Sequence, residues 1–354
     1  MKKILVIQLQ QIGDVLLSTA ICGTLKKTFP NAEIDYLVAD FAEGIVKGHP
    51  AISEVITYHK KGGWGYFFKF LWRLRKKKYD LVLDILCKPR SGLMTWFSGA
   101  KRRISFSRPG RSFYYTDLLP EELGLKIHTI DHRLTLLNPL QTTVQIDKSV
   151  KIYLEESLVK KTRDSFLQKG LDQNCLKIVF GINSRRSFKV WPQEYFLQVI
   201  DHCIKKYNAK IIFFYNEKEK EFCLEAKAKV CKPENVYADF SGSIRDIAAV
   251  FQCCDLFVGN DSGPRHIAEA VGTATFAIYS PTSSKYNWNT QGNPRYQSID
   301  LQDALSLSDQ EFKDMLREAN KKNAENFLRK ISPDFVIQKI DQMILDLGLA
   351  RGKK

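Results

Sequence analysis

Val258-Gly-Asn-Asp261-Ser-Gly-Pro-Arg-His266 places an acid, a hydroxyl, a glycine and a proline between two patterned runs. The run before it, Asp255-Leu-Phe-Val-Gly, reads as a short buried strand. The run after it, His266-Ile-Ala-Glu-Ala-Val271, reads as a helix closed by Gly272. The residues between have the chemistry of a helix N-terminus, where unsatisfied N–H groups make a site for phosphate. Asp261 and Ser262 can cap the helix while the N–H groups of Ser262 and Gly263 face an anion. His266 shares a helix face with Ser262 and serves either as a further donor or as a structural contact.

Two other segments carry comparable chemistry. Gly181-Ile-Asn-Ser-Arg-Arg-Ser-Phe-Lys189-Val-Trp-Pro192 follows a strand-like run and precedes a helix opening at Pro192. Ser184, Arg185, Arg186 and Lys189 put hydroxyl and cationic donors into one loop, for which phosphate oxygens are natural acceptors. A solvated basic loop is the competing reading. Trp191 is expected to pack the helix start. The second segment, Gln10-Gln11-Ile12-Gly13-Asp14-Val15, joins the first strand to its helix. Gly13 permits close backbone approach there. Asp14 is either a capping aspartate or a general base taking the proton of an attacking hydroxyl. No G-x-G-x-x-G follows this strand, so a dinucleotide fingerprint is absent. Glu217 and Glu219, after the run at 209–215, offer carboxylates for ribose hydroxyls or are part of a solvated charge run.

These segments fall at the ends of predicted strands. Apolar runs at 3–9, 33–38, 53–57 and 79–85 alternate with helical patterns at 14–28, 41–48 and 64–77. The pattern thins after Glu121, with a helix expected over 128–140 and a connector containing a short strand over 141–152. It restarts with strands at 176–182, 209–215, 235–238, 255–259 and 274–279, interleaved with helices at 154–169, 192–206, 217–231, 244–253 and 264–271. This is the βαβ rhythm of doubly wound parallel sheets, whose ligands sit at the carboxyl ends of strands. Helical signals return at 308–329 and after Ser332-Pro333, a capping residue followed by a proline at the first helical position. The expected domains are 1–165, 166–330, and a closing helix and tail at 331–354 that returns toward the first domain.

The 354-residue chain has a formal net charge of +15, which points to an anionic partner. The eight cysteines form no C-x-x-C pair and show no zinc-type spacing; reduced thiols of a cytosolic protein are expected. Gln8, Gln10, Gln11 and Asp14 interrupt the N-terminal apolar run too early for a signal peptide, and no apolar stretch is long enough to span a bilayer. A membrane would be met from the surface. In 64–78, Phe67, Leu71 and Leu74 form one helical stripe. Trp64, Phe68, Trp72 and Arg75 form an adjacent one that suits either core packing or anionic lipid.

The ordered set of motifs resembles the bacterial heptosyltransferases of glycosyltransferase family nine. It comprises Ile12-Gly13-Asp14-Val15, Tyr79-Asp-Leu-Val-Leu-Asp84 with Arg90-Ser91 and Gly99-Ala-Lys-Arg-Arg103, Lys189-x-Trp-Pro192, Phe240-Ser-Gly-Ser-Ile-Arg-Asp246, Gly259-Asn-Asp-Ser-Gly-x-x-His266 and Thr273–Thr282. The resemblance runs from residue 1 to about 345. It implies an α/β, GT-B fold: two Rossmann-like domains facing a cleft, the first for the acceptor and the second for a nucleotide-sugar. It further implies inverting transfer of heptose from ADP-heptose to the inner core of lipopolysaccharide at the cytoplasmic face of the inner membrane, with no cofactor or metal required. By position, Asp14 corresponds to the catalytic base and Lys189 to the lysine reaching the donor's phosphate and ribose. Gly13, Ser184, Arg186, Glu219 (or Glu217), Asp261, Ser262, Gly263 and His266 fall in the donor site. Arg90, Arg102 and Arg103 are candidate acceptor contacts. Phe214-Tyr215 stands where family members often have glycine, which leaves the adenine preference open. Two other readings are a transferase using another nucleotide-sugar and a non-catalytic nucleotide or anionic-polymer binder. Asp14 argues against the latter, and no nucleic-acid-binding motif is visible.

Overall fold

The computed structural model describes residues 1–121, 126–141, 143, 146–215 and 219–350. The chain forms two compact units, Met1–Tyr153 and Leu154–Lys354.

The first unit is built on a six-stranded parallel sheet. Its strands are β1 (Lys3–Gln8), β2 (Glu33–Ala39), β3 (Glu54–Tyr58), β4 (Leu81–Asp84), β5 (Arg102–Phe106) and β6 (Asp117–Leu119). They are ordered β3-β2-β1-β4-β5-β6. β1 pairs in parallel with β2 on one side and β4 on the other. It is covered on both faces, which is why KILVIQ reads as a continuous apolar run. The chain order reverses between β1 and β4, and the segments leaving their carboxyl ends flank the resulting crevice.

The second unit repeats the plan with β7 (Lys177–Gly181), β8 (Lys210–Phe213), β9 (Val236–Tyr237), β10 (Leu256–Asn260), β11 (Ala274–Ile278) and β12 (Tyr296–Ile299). Their order, β12-β11-β10-β7-β8-β9, is the same topology, with the reversal between β7 and β10. Gly181 and Gly259 lie opposite each other in that register. A Cβ on Gly259 would come within 2.9 Å of the Gly181 carbonyl oxygen, so glycine is required for the two strands to close up.

Several expectations shift in the structure. The single helix predicted over 14–28 is two helices, Ile12–Leu17 and Thr19–Thr28. They part at Ser18, whose hydroxyl donates to the Asp14 carbonyl at 2.8 Å and so competes with the helical ladder. The helix expected over 128–140 is an α-helix only over Thr129–Leu134; it tightens to 3₁₀ over Thr135–Leu140, where Pro139 lacks the N–H to continue it. No strand forms in the described part of 141–152. The pattern also gives no sign of β5, β6, β12 or the helix Pro89–Phe97.

The division between units precedes the helix Glu156–Gln168 rather than cutting its end, because that helix packs against Ile244–Gln252 of the second unit. The closing helix, Pro333–Asp346, is capped by Ser332, which accepts from the Phe335 N–H at 3.3 Å. Val336, Ile340, Met343 and Ile344 enter the second unit's core. Asp341 accepts from Lys206 at 2.8 Å and Tyr207 at 2.7 Å and meets His202 at 2.9 Å, fastening the helix to Gln193–Tyr207. All eight cysteines are free thiols. Among the described residues, no helix is long and apolar enough to cross a membrane.

Candidate active site

At the β7/β10 reversal the two loops meet. Lys189 forms an ion pair with the Asp261 carboxylate across 72 residues of sequence. Ser283, just beyond β11, completes the cluster: its hydroxyl donates to Asp261 Oδ2 at 2.5 Å and accepts from Lys189 Nζ at 3.2 Å. Asn260 locks the frame beneath, accepting from the Trp191 N–H at 2.8 Å and donating to the Gly181 carbonyl at 3.2 Å. Trp191 is fully buried and donates through Nε1 to the Ile331 carbonyl at 3.1 Å, so it packs the helix start as expected. An ammonium has three donors. Asp261 and Ser283 take two of the Lys189 donors, leaving one for an incoming anion.

The helix Gly263–Ala270 begins beside this pair, with Pro264 in its first turn and Ser262 at its N-cap. Ser262 makes no side-chain capping bond. Its hydroxyl is buried and meets no hydrogen-bond partner among the described residues. A buried polar atom without a partner is costly, and this one sits among the open N–H groups of a helix N-terminus. The arrangement suits a bound oxyanion. His266 is buried one turn in. Arg265 Nη2 stands 3.0 Å from its Nδ1, and the same guanidinium donates to Glu269 at 2.7 Å and the Trp288 carbonyl at 2.5 Å. Arg265 therefore buttresses the His266 ring from within the core.

The remaining predicted donor residues share this sheet edge in part. Ser184 accepts weakly from the Arg186 N–H at 3.4 Å in the loop after β7, and Arg186 is exposed. Glu219 lies after β8, one strand over, at the start of the helix Lys220–Ala228. Glu217 lies outside the described residues. Gly13 is in the first unit, buried beside Asp14.

In the first unit, Asp14 occupies the third position of the helix leaving β1 and forms a capping box with Gln11, accepting its N–H at 3.3 Å. Its other oxygen accepts from Arg133 Nη2 at 2.5 Å. Arg133 Nη1 also donates to the Asp14 carbonyl at 2.7 Å and to Ser18 Oγ at 3.0 Å. The two side chains are only 13% and 8% exposed. Asp14 is thus both a helix cap and a clamped carboxylate at the carboxyl edge of β1. Arg133 carries a sequence signal of its own: it falls within the apolar stripe of Ile130, Leu134 and Leu137, where an arginine must find a buried partner. Ser283 likewise carried a signal in the hydroxyl-rich turn after the apolar run at 274–279.

Asp84, at the carboxyl end of β4, is fully buried. Burial pushes its carboxyl above the usual range, against hydrogen bonds from Tyr115 at 2.7 Å and the Leu86 N–H at 2.9 Å. Arg90 follows on the next helix, exposed, with its guanidinium 5.9 Å from the Trp64 ring centre and 5.4 Å from that of Phe67. Arg102 and Arg103 stand at the amino-terminal start of β5, away from that edge. Arg102 donates to Asp117 at 3.2 Å and the Pro139 carbonyl at 2.6 Å. Arg103 donates to the Ala100 and Tyr114 carbonyls at 2.8 Å. Both guanidiniums are used inside the fold.

Two Rossmann-like domains, each with polar residues gathered at its strand reversal, are the architecture of the GT-B class. The chain belongs to glycosyltransferase family 9 (heptosyltransferase), whose family model matches residues 67–308. It is 26% identical over 293 residues to lipopolysaccharide heptosyltransferase 3 of Escherichia coli, covering 79% of this chain and 84% of that one. It is 24% identical to lipopolysaccharide heptosyltransferase 1 of Campylobacter coli, covering 80% and 86%. A solved family 9 glycosyl transferase from Veillonella parvula superposes with a TM-score of 0.84 at 23% identity, covering 98% of both chains. Escherichia coli heptosyltransferase WaaC, solved with ADP, superposes with a TM-score of 0.69 at 18% identity, covering 99% of both. Among the described residues, no group of three or more His, Cys, Asp or Glu could hold a metal ion.

Proposed function

We propose that this glycosyltransferase moves heptose from ADP-heptose to the inner core of lipopolysaccharide with inversion at the anomeric carbon, working at the cytoplasmic face of the inner membrane. The observation that carries the reading is the Lys189–Asp261–Ser283 cluster beside the Ser262 turn, at the strand reversal of the second unit. The solved relatives with ADP and with a fluorinated ADP-heptose support the choice of donor.

In this reading the pyrophosphate lies against the N–H groups of Ser262 and Gly263 and the remaining donor of Lys189. An acceptor hydroxyl attacks the anomeric carbon opposite the diphosphate. The new C–O bond forms as the bond to the diphosphate breaks, and the hydroxyl proton passes to Asp14. Negative charge grows on the leaving diphosphate and is met by Lys189 and the helix N-terminus. Asp261 and Ser283 keep Nζ aimed, so little reorganisation is needed at the moment of reaction. Arg90 offers a cation to the acidic sugars of the acceptor, and Glu219 a carboxylate to the ribose.

The test is a thermal-shift series with ADP, UDP, GDP and CMP at equal concentration, followed by transfer from ADP-heptose to an acceptor lacking that heptose. A ligand binding only the folded state raises the melting temperature in step with its affinity. ADP should give the largest shift, and the acceptor should gain one heptose. A larger shift with another nucleotide would reassign the donor.

A further inference from the structure

The helix Gly63–Lys76 has three faces. Phe67, Phe70, Leu71 and Leu74 are buried in the first unit's core. Trp64, Phe68 and Trp72, spaced four residues apart, are 67%, 57% and 59% exposed. At roughly 100° per residue they cover a strip about 80° wide, directly beside the buried one. Lys69, Arg73 and Lys76 fill the next strip, all exposed, and the helix contains no acidic residue. Beside Trp72, a cavity of about 560 Å³ is lined by Lys69, Arg73, Lys76 and Lys77. Glu54 on the edge strand β3 pairs with Arg73 at 3.4 Å and with Lys77, and Asp35 meets Lys77 at 3.2 Å. Four cations against two carboxylates leave the cavity positive.

Three large aromatic side chains exposed in a row are an interaction surface rather than scattered surface residues. We infer that this face seats the protein on an anionic phospholipid bilayer, resting on the proposed lipid-linked acceptor. The helix lies in the plane of the interface, with Trp64, Phe68 and Trp72 at the boundary between headgroups and acyl chains. The cations beside them meet lipid phosphates. A second copy of the chain is a poorer occupant, because a two-fold contact would set the same cations face to face.

The experiment is flotation of the full chain with acceptor-free vesicles, either phosphatidylcholine containing phosphatidylglycerol or phosphatidylcholine alone. The wild type should float with the anionic vesicles. Phe68→Ser/Trp72→Ser should lower the bound fraction by about tenfold or more, with unchanged melting temperature and unchanged transfer to a water-soluble acceptor. Lys69→Gln/Lys76→Gln should remove the preference for anionic lipid. Failure of the wild type to float, or equal flotation of the aromatic variant, overturns the inference. So does a dimer seen by sedimentation that the aromatic variant abolishes. Normal transfer without flotation rejects only the docking surface; flotation without transfer rejects only the proposed reaction.

Discussion

Asp14 and Arg133 are joined by two hydrogen bonds, one to the carboxylate at 2.5 Å and one to the main-chain carbonyl at 2.7 Å, across 119 residues of sequence. The guanidinium therefore fixes both the side chain and the helix turn that bears it. Breaking a buried ion pair from one side leaves the other charge without compensation. Arg133→Met should cost about 3–5 kcal/mol of stability and slow transfer. Asp14→Asn/Arg133→Met should recover part of the stability but none of the activity. Urea unfolding of the four proteins of this cycle measures the coupling. Additive losses would mean that the pair does not act as a unit.

Lys189→Ala removes a charged donor from the proposed phosphate site. A hydrogen bond to a charged group is worth about 1.5–3 kcal/mol, so ADP affinity should fall about 10- to 100-fold. Titration calorimetry gives the number. An unchanged dissociation constant would remove Lys189 from the phosphate site.

Ser262→Ala separates a ligand contact from a structural cap. An N-cap serine normally contributes about 1 kcal/mol through its side-chain bond, but Ser262 makes none. The ligand-free protein should lose no stability and should gain some, since an unpartnered buried hydroxyl is removed, while ADP affinity drops about tenfold. A large loss of stability with ADP binding intact would make Ser262 a structural residue.

Much of this site could be read from the chain because each half repeats a strong local pattern. The central strands β1, β7 and β10 are continuous apolar runs, and the polar segments that follow them stand out. Three outer strands did not show: the edge strand β6 has three residues, β5 beside it opens with two arginines, and the edge strand β12 alternates weakly around Tyr296 and Gln297. At the Ser18 break, Arg133 donates to both the Ser18 hydroxyl and the Asp14 carbonyl from 115 and 119 residues away, a contact no local window contains. Lys189 and Asp261 were each visible at a strand end, but their pairing follows from the adjacency of β7 and β10, a property of the sheet order. For Arg102 and Arg103, motif position did not tell which end of β5 they occupy or that their guanidiniums bond within the fold.

Acid should weaken the first unit through Asp147. Ser149 donates to its carboxylate at 2.6 Å and Lys27 pairs with it at 3.0 Å, which lowers its pKa to about 2. A depressed folded-state value means the contribution is complete above the unfolded value of 3.8 and is lost as pH falls through about 2. Allowing for solvent screening, Asp147→Asn should cost about 1 kcal/mol at neutral pH. Urea midpoints of the two proteins should converge as pH is lowered through that window. A constant gap down to acid pH would contradict the assignment.

The central claim is that Asp14 takes the acceptor's proton while the second unit holds the diphosphate. Single-turnover transfer from ADP-heptose by Asp14→Asn tests it most directly, because asparagine keeps the size and one acceptor oxygen for the Gln11 N–H but cannot take the proton; its amide nitrogen loses the Arg133 pair, so the comparison is made at a temperature where the variant is fully folded. The rate should fall at least about 100-fold, the lower range for general-base catalysis, with ADP binding within about twofold of the wild type. A rate near that of the wild type would contradict the claim.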